Sequence, residues 1–581
     1  MPTFVVVGLF LWRKIHPRRL FRPVHPDART PFPAVPRSAD FKKYCYFCIM
    51  KRMLTLLLTA LAAFGPAARA QVRFDADFEG GSLGLVQCLD SATLIVAPGD
   101  TAAHLSFLVR GRFDPDNPVD TDLAANANWY CFRMTGVKGK RIYLTMPDNG
   151  VARSSYSYDG KAWAHLPLAE SERHRIGKRF TRDTVYIALY TPYTYSYFQE
   201  RIAAWSARPD VTLDTIGFSH EGRPLQLLHI TDLSVPAAQK IRIWVHGRQH
   251  PSESPASYLV DGLVDYLTAD TPEARALRQQ IDAYVLPFAN PDGVAHGLSR
   301  SNILGVNQEI NFARSADSTV VEVQAIKRTL ERLTAERPFD LAINSHSQLA
   351  ESATFWMHRG RSTSPAFLRK QWAYTGLTCS FNPCLRPEDM NFSDMADRYV
   401  EGWFWNHAGE RTIALTVETT YNCYSFDRDG QWADNDNIRL FGERTLLAAA
   451  EYFGLSLPGR HIVETPERMK SGWKRFTGDS HSYLGADAWQ AERAGARITY
   501  RTENLPAGRY AVYRYVPGRC LEPEISSLRD RENGGWLDPG IHGWVYTETV
   551  EQPRDGRFRY TWKAAEAGDF ADALLLVRQT E

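Results

Sequence analysis

His250 and Glu253, two side chains able to bind a metal, stand three residues apart in His250-Pro-Ser-Glu253, directly after the apolar run Ile241-Arg-Ile-Trp-Val245. A third candidate ligand, His346, follows another apolar run, and Glu418 ends the run Thr412-Ile-Ala-Leu-Thr-Val417. Two histidines and a carboxylate leave the fourth corner of a zinc tetrahedron to water, and a further carboxylate can accept that water's proton. The residues therefore predict hydrolytic zinc chemistry, with His250, Glu253 and His346 on one zinc ion and Glu418 as base. The bland alternatives are a core histidine at 346 and a solvated strand end at 418. His-x-x-Glu alone is weak, because His461-Ile-Val-Glu464 repeats it. That second copy has no strand-end carboxylate after it and reads as a surface coincidence. His246 competes with His250, but its partner at the third position is Gln249, a poor zinc ligand, so His246 reads as a strand-end or supporting residue.

The elements that must position these groups follow from periodicity. Residues 207–457 alternate apolar runs with amphipathic helical patterns at 253–267, 320–333 and 437–453, which predicts an α/β domain with a mixed sheet covered on both faces. Sheets of this kind place their sites at strand carboxyl ends, where the proposed ligands fall. Before it, residues 71–206 show short alternating segments between Gly, Asp and Asn turns, the pattern of a β-sandwich. After it, residues 458–581 lose the helical period and read as a C-terminal β-rich domain, a structural cap or a contact for glycan or cell wall.

The 581 residues carry 68 basic and 66 acidic side chains, a formal net charge of +2, so nothing calls for nucleic acid as a partner. Met50-Lys-Arg-Met followed by a short apolar run and Ala68-Arg-Ala70 has the form of a secretory signal peptide over residues 50–70, too short in its apolar core to span a membrane. On that reading residues 1–49 are an upstream extension, the alternative being a basic membrane anchor, and the mature protein is periplasmic or secreted with no transmembrane span. Export permits disulfides, with Cys379 or Cys384 to Cys423 as one pairing and buried thiols as the other outcome.

Together, His250-x-x-Glu253, Asn290-Pro-Asp-Gly293, Ser345-His346-Ser347 and Thr416-Val-Glu418 resemble the zinc metallocarboxypeptidases. Asn128-Trp-Tyr-Cys-Phe-Arg133 and Asp183-Thr-Val-Tyr-Ile-Ala-Leu-Tyr190 look like the β-sandwich that precedes the catalytic domain in the cytosolic carboxypeptidase subfamily. Export argues against tubulin deglutamylation, an activity found in that subfamily. The resemblance implies a peptide or peptide-like substrate, the zinc set and base named above, and Arg300 as the cation that polarises the scissile carbonyl, with Arg314 as a nearby rival.

One departure bears on substrate. Where the family has Gly-x-Asp-x-Asn-Arg-x-Trp, whose Asn-Arg pair grips the substrate's terminal carboxylate, this chain has Gly305-Val-Asn-Gln-Glu-Ile-Asn-Phe312. Glu309 and Ile310 replace the pair, so the position predicts repulsion of a carboxylate unless a shift lets Asn311 and Arg314 stand in. This motivates a second reading, an amidase or endo-acting peptidase on peptidoglycan stem peptides or glycopeptides. A non-catalytic zinc or cell-wall binder is a third. Trp403, in the expected specificity loop, either faces the substrate pocket or packs under the sheet, and Tyr399 lies near the place of the family's mobile tyrosine.

Overall fold

In the computed structural model, which describes residues 71–579 apart from 90–99, 101, 122, 425–431, 468–470 and 531–534, the apolar runs around the candidate ligands form one eight-stranded mixed sheet. Its strands in chain order are β1 (Val211–Phe218), β2 (Pro224–Ile230), β3 (Ile241–Gly247), β4 (Ile281–Leu286), β5 (Leu341–Gln348), β6 (Thr354–His358), β7 (Asn391–Ser393) and β8 (Ile413–Thr420). Across the sheet the order is β1-β2-β4-β3-β5-β8-β6-β7. The central strands β4, β3, β5 and β8 are parallel, while β1-β2-β4 and β8-β6 pair antiparallel. β3 and β5 are buried almost throughout, which is why each reads as a continuous apolar run rather than an alternating one.

Helices cover both faces. On one lies α1 (Ser254–Thr268), which leaves the His250–Glu253 loop with a proline in its first turn. α1 crosses α5 (Asn435–Tyr452) at glycines on both partners: a Cβ on Gly262 would collide with the Arg439 carbonyl and one on Gly442 with the Leu259 carbonyl. On the opposite face, α2 (Val321–Glu336) and α4 (Val400–Ala408) enclose a separate apolar cluster that includes Trp244, Ile326, Leu330, Trp403 and Phe404. The remaining long helix, α3 (Pro365–Cys379), carries the contacts to the C-terminal region.

Before this domain, two five-stranded sheets face each other, one holding Cys131–Thr135 and Val185–Ala188, the other His104–Arg110 and Arg141–Thr145. They share the main apolar core with the catalytic sheet. The C-terminal region is β-rich, built on a four-stranded sheet of Arg460–Val463, Leu574–Arg578, Gly508–Val516 and Gly543–Gln552. It is fastened to α3 and its surroundings: Trp372 Nε1 donates to the Leu521 carbonyl at 3.0 Å, Arg359 Nε to that of Pro523 at 2.8 Å, and His542 stacks on Trp372 at 4.5 Å.

Among the described residues no disulfide forms: Cys379, Cys384 and Cys423 are thiols, so the bridged outcome is not realised. Cys45, Cys48, the signal segment 50–70 and residues 1–49 lie outside the described residues. Among the described residues no helix is long and apolar enough to cross a membrane.

Candidate metal centre and active site

His250, Glu253 and His346 converge. His250 Nδ1 lies 2.8 Å from Glu253 Oε1, His346 Nδ1 lies 2.8 Å from Glu253 Oε2, and the two Nδ1 atoms are 3.1 Å apart. Two ligands held about 2.0–2.1 Å from a tetrahedral zinc ion are separated by about 3.3 Å, so the donors already stand at coordination spacing. Electrostatics agree with that fit. Burial and Arg300 oppose charge on His250, yet the carboxylates of Glu253 and Glu309 outweigh them and push it up to about 9. His346 is likewise raised, with burial overcome by the same two acids. Glu253 is held far below the carboxylate range, the two imidazoles outweighing its burial. The pocket thus stabilises positive charge at its centre, and the residues present fit a divalent zinc ion.

Local structure explains how the loop reaches this geometry. Arg248, fully buried, sits in the left-handed region at φ 63, an uncommon conformation for a residue with a Cβ. It is held there because its guanidinium donates to the Pro251 carbonyl at 3.0 and 2.9 Å, to Ser257 Oγ at 2.8 Å and to the Tyr193 carbonyl at 3.1 Å. The loop between His250 and Glu253 is therefore wrapped around a buried cation. Asn290, from the Asn-Pro-Asp-Gly motif, does a related job. Its Nδ2 donates to the carbonyls of Gln249 and Ser301 at 3.0 and 3.1 Å, tying the residue before His250 to the residue after Arg300.

Glu418 stands directly beside His346, since the two are register partners on the parallel strands β5 and β8. Its Oε2 has no hydrogen-bond partner, and burial together with the Glu253 charge pushes its carboxyl up to about 8. A carboxylate so placed is a better proton acceptor than a solvated one. His246 is not one of the clustered donors: its Nδ1 accepts from Trp244 Nε1 at 3.0 Å, and burial pushes it down to about 3. His461 lies on a strand of the C-terminal sheet, apart from the cluster.

Arg300 lies on the other side. Its Nη2 donates to Glu309 Oε2 at 3.1 Å, and its backbone is clasped from the N-terminal sandwich, where Asp114 accepts from the N–H groups of Ser299, Arg300 and Ser301 at 2.7, 2.7 and 2.9 Å. Glu309 does not project into open space as the substitution at the family's asparagine suggests. A short helical turn over Gln308–Asn311, capped by Asn307, folds it back so that Oε2 lies 3.2 Å from His250 Nε2 and Oε1 3.8 Å from His346 Nε2. Despite burial, these imidazoles and Arg300 hold its carboxyl down at about 2. Its charge is thus spent on orienting ligand His250, with Asn307 Oδ1 sharing the same nitrogen at 3.1 Å.

The alternative grip is not assembled. Asn311 is buried and donates to the Asn307 carbonyl, and Arg314 is taken by Asp120 Oδ1 at 2.9 Å. Trp403 is 4% exposed, stacked on His407 at 4.0 Å inside the apolar cluster under the sheet, the packing outcome rather than the pocket-facing one. Instead, a cavity of about 260 Å³ opens beside Arg300 and Asn307, walled by Ile310, Arg398 and Tyr399 from the catalytic domain and by Asp114, Pro115 and Leu123 from the sandwich. The sequence offered no sign of Asp114 or Arg248; the role of either is visible only once distant segments meet.

Residues 200–434 match the family model described as zinc carboxypeptidase. Cytosolic carboxypeptidase 6 of Homo sapiens is 24% identical over 399 residues, covering 62% of this chain and 73% of that protein. The Mus musculus protein of the same name is 27% identical over 260 residues, covering 42% of this chain and 46% of that protein, so the chain spans about half its length. Among solved structures, a metallo-carboxypeptidase from Burkholderia cenocepacia aligns with a TM-score of 0.54 at 20% identity, over 65% of this chain and 98% of that one. One from Pseudomonas aeruginosa aligns with a TM-score of 0.52 at 18% identity, over 65% and 99%. At such identity the structural likeness establishes the fold. With the donor cluster and Glu418 both inside the matched span, residues 200–434 carry a zinc carboxypeptidase domain.

Proposed function

We propose that this protein removes residues from the free C-terminus of peptides, acting after export across a membrane. The observation that carries the catalytic reading is the placement of Glu418 beside His346 on the adjacent strand, with a buried oxygen that has no hydrogen-bond partner. His250, Glu253 and His346 would hold one zinc ion, which when bound lowers the pKa of water and polarises a carbonyl. Glu418 accepts the proton released by the attacking water and delivers it to the leaving amine. Arg300, steadied through Asp114 and Glu309, offsets the negative charge that grows on the scissile carbonyl oxygen. Glu309 aligns His250 rather than confronting substrate, which removes the main objection to exopeptidase action.

Export is supported by the basic start, the apolar run and Ala68-Arg-Ala70, since the first strand among the described residues begins at Arg73, beyond a cleavage point after Ala70. The contacts from Trp372 and Arg359 to the C-terminal region favour a bracing role for that region over one as a separately tethered glycan binder.

Glu418→Gln tests the catalytic reading. The variant keeps stoichiometric zinc uptake while turnover of a peptide with a free C-terminus falls by orders of magnitude. Unchanged turnover in the zinc-loaded variant would refute it.

A further inference from the structure

We infer that Arg398 supplies the cation that grips the substrate's terminal carboxylate, taking over from the position that Ile310 has made apolar. The inference rests on the peptidase reading above and concerns the cavity beside Arg300 and Asn307. That cavity is about 8 Å across if roughly spherical, enough for one amino-acid residue between the Arg300 end and the opposite wall. Two arginines line it, Arg300 and Arg398, and Arg314 is the rival that the sequence offers for the grip. Arg300 is paired with Glu309 and Arg314 with Asp120. Arg398 is exposed, lines the cavity, and has no carboxylate at ion-pair distance among the described residues.

Its neighbours in sequence do not compete for it. Asp394 is engaged by Arg361 and Arg359, and Asp397 accepts from Asn406 Nδ2 at 3.0 Å. The placement of Arg398 is also fixed. Its carbonyl accepts from Phe312 N at 3.0 Å, two residues beyond Ile310, and its guanidinium rests on the Tyr399 ring at 4.9 Å. A backbone tie holds the residue beside the turn that carries Ile310, and the aromatic face limits the side chain's freedom without consuming its charge. A planar fork of donors prepared in this way suits a carboxylate, which it can bind through two hydrogen bonds.

The test compares Arg398→Gln and Arg398→Lys with the parent, all zinc-loaded, on a peptide and on its C-terminal amide. Arg398→Gln raises KM for the free peptide tenfold to a hundredfold on the scale of a charge-assisted bond, leaves kcat within a few-fold, and leaves zinc stoichiometry unchanged. Lysine restores part of the loss. A KM unchanged by Arg398→Gln would overturn the inference. Calorimetry keeps the two readings apart: in the Glu418→Gln background the free tripeptide binds more tightly than its amide, and Arg398→Gln abolishes that preference. If the parent cleaves nothing, the peptidase reading fails, while the acid-over-amide preference still decides Arg398; its survival in Arg398→Gln would refute the assignment.

Discussion

Replacing Asp114 by alanine is expected to disable Arg300 without touching the metal ligands. The Asp114 carboxylate receives three backbone N–H groups, from Ser299, Arg300 and Ser301, at 2.7–2.9 Å, and the Ser301 hydroxyl at 3.2 Å. A charge-assisted bond of this kind contributes about 1.5–3 kcal/mol, and the contributions are not additive. Because Asp114 borders the cavity, water can enter and rehydrate some of the abandoned donors, so the local loss is nearer 2–4 kcal/mol than the full sum. The Arg300 loop retains a second clasp, Trp129 N to Ser299 Oγ at 2.9 Å, which keeps it from unfolding. The guanidinium then samples positions away from the scissile carbonyl. Losing a positioned donor to a developing oxyanion costs about 10²–10³ in rate, and a mispositioned one less, so kcat/KM falls on the order of 10- to 100-fold. Asp114→Asn, which keeps acceptor oxygens but not the charge, falls between. The assay is kcat/KM on a free peptide alongside zinc stoichiometry and thermal unfolding. A folded, zinc-replete Asp114→Ala protein with parental kcat/KM would show that the sandwich does not position Arg300.

Acid should destabilise the fold through its buried neutral histidines. Burial pushes His165, His358 and His542 each down to about 4, below the value near 6.5 that they recover on unfolding. Their contribution is therefore complete above pH 6.5 and is lost as pH falls toward 4, by roughly 3 kcal/mol each at most. Denaturant unfolding at pH 7, 5.5 and 4.5 should show this slope, and His542→Gln should flatten it by about one proton; an unaltered slope rules the attribution out. Trp403→Ala should cost about 3–5 kcal/mol of stability, as for a large buried aromatic, while changing side-chain preference little. A switch in substrate preference at parental stability would return Trp403 to the pocket.

What the chain order alone determined is considerable, and it is local. Apolar runs of five or six residues marked β3 and β8 because strands buried on both faces have no polar side, and the alternation of strands and helices implied the mixed sheet. The His250–Glu253 spacing is legible since both residues lie within one loop, whereas Glu418, read from the sequence as a strand end, lies inside β8, which continues to Thr420. Only the tertiary structure decided what surrounds them. Asp114 clasps Arg300 from 186 residues away, and no periodicity records a contact between two domains. The sense of Glu309 was reversed by a turn that folds it onto His250, because a charge is attracted to whichever cation the backbone brings near. Trp403 could be assigned to neither face until α4 settled against the sheet, and the cysteines could not be paired or left as thiols without distances. Ligand chemistry resides in residue types and short spacings; alignment of those ligands, and the cation left over for substrate, depend on packing between segments far apart in the chain.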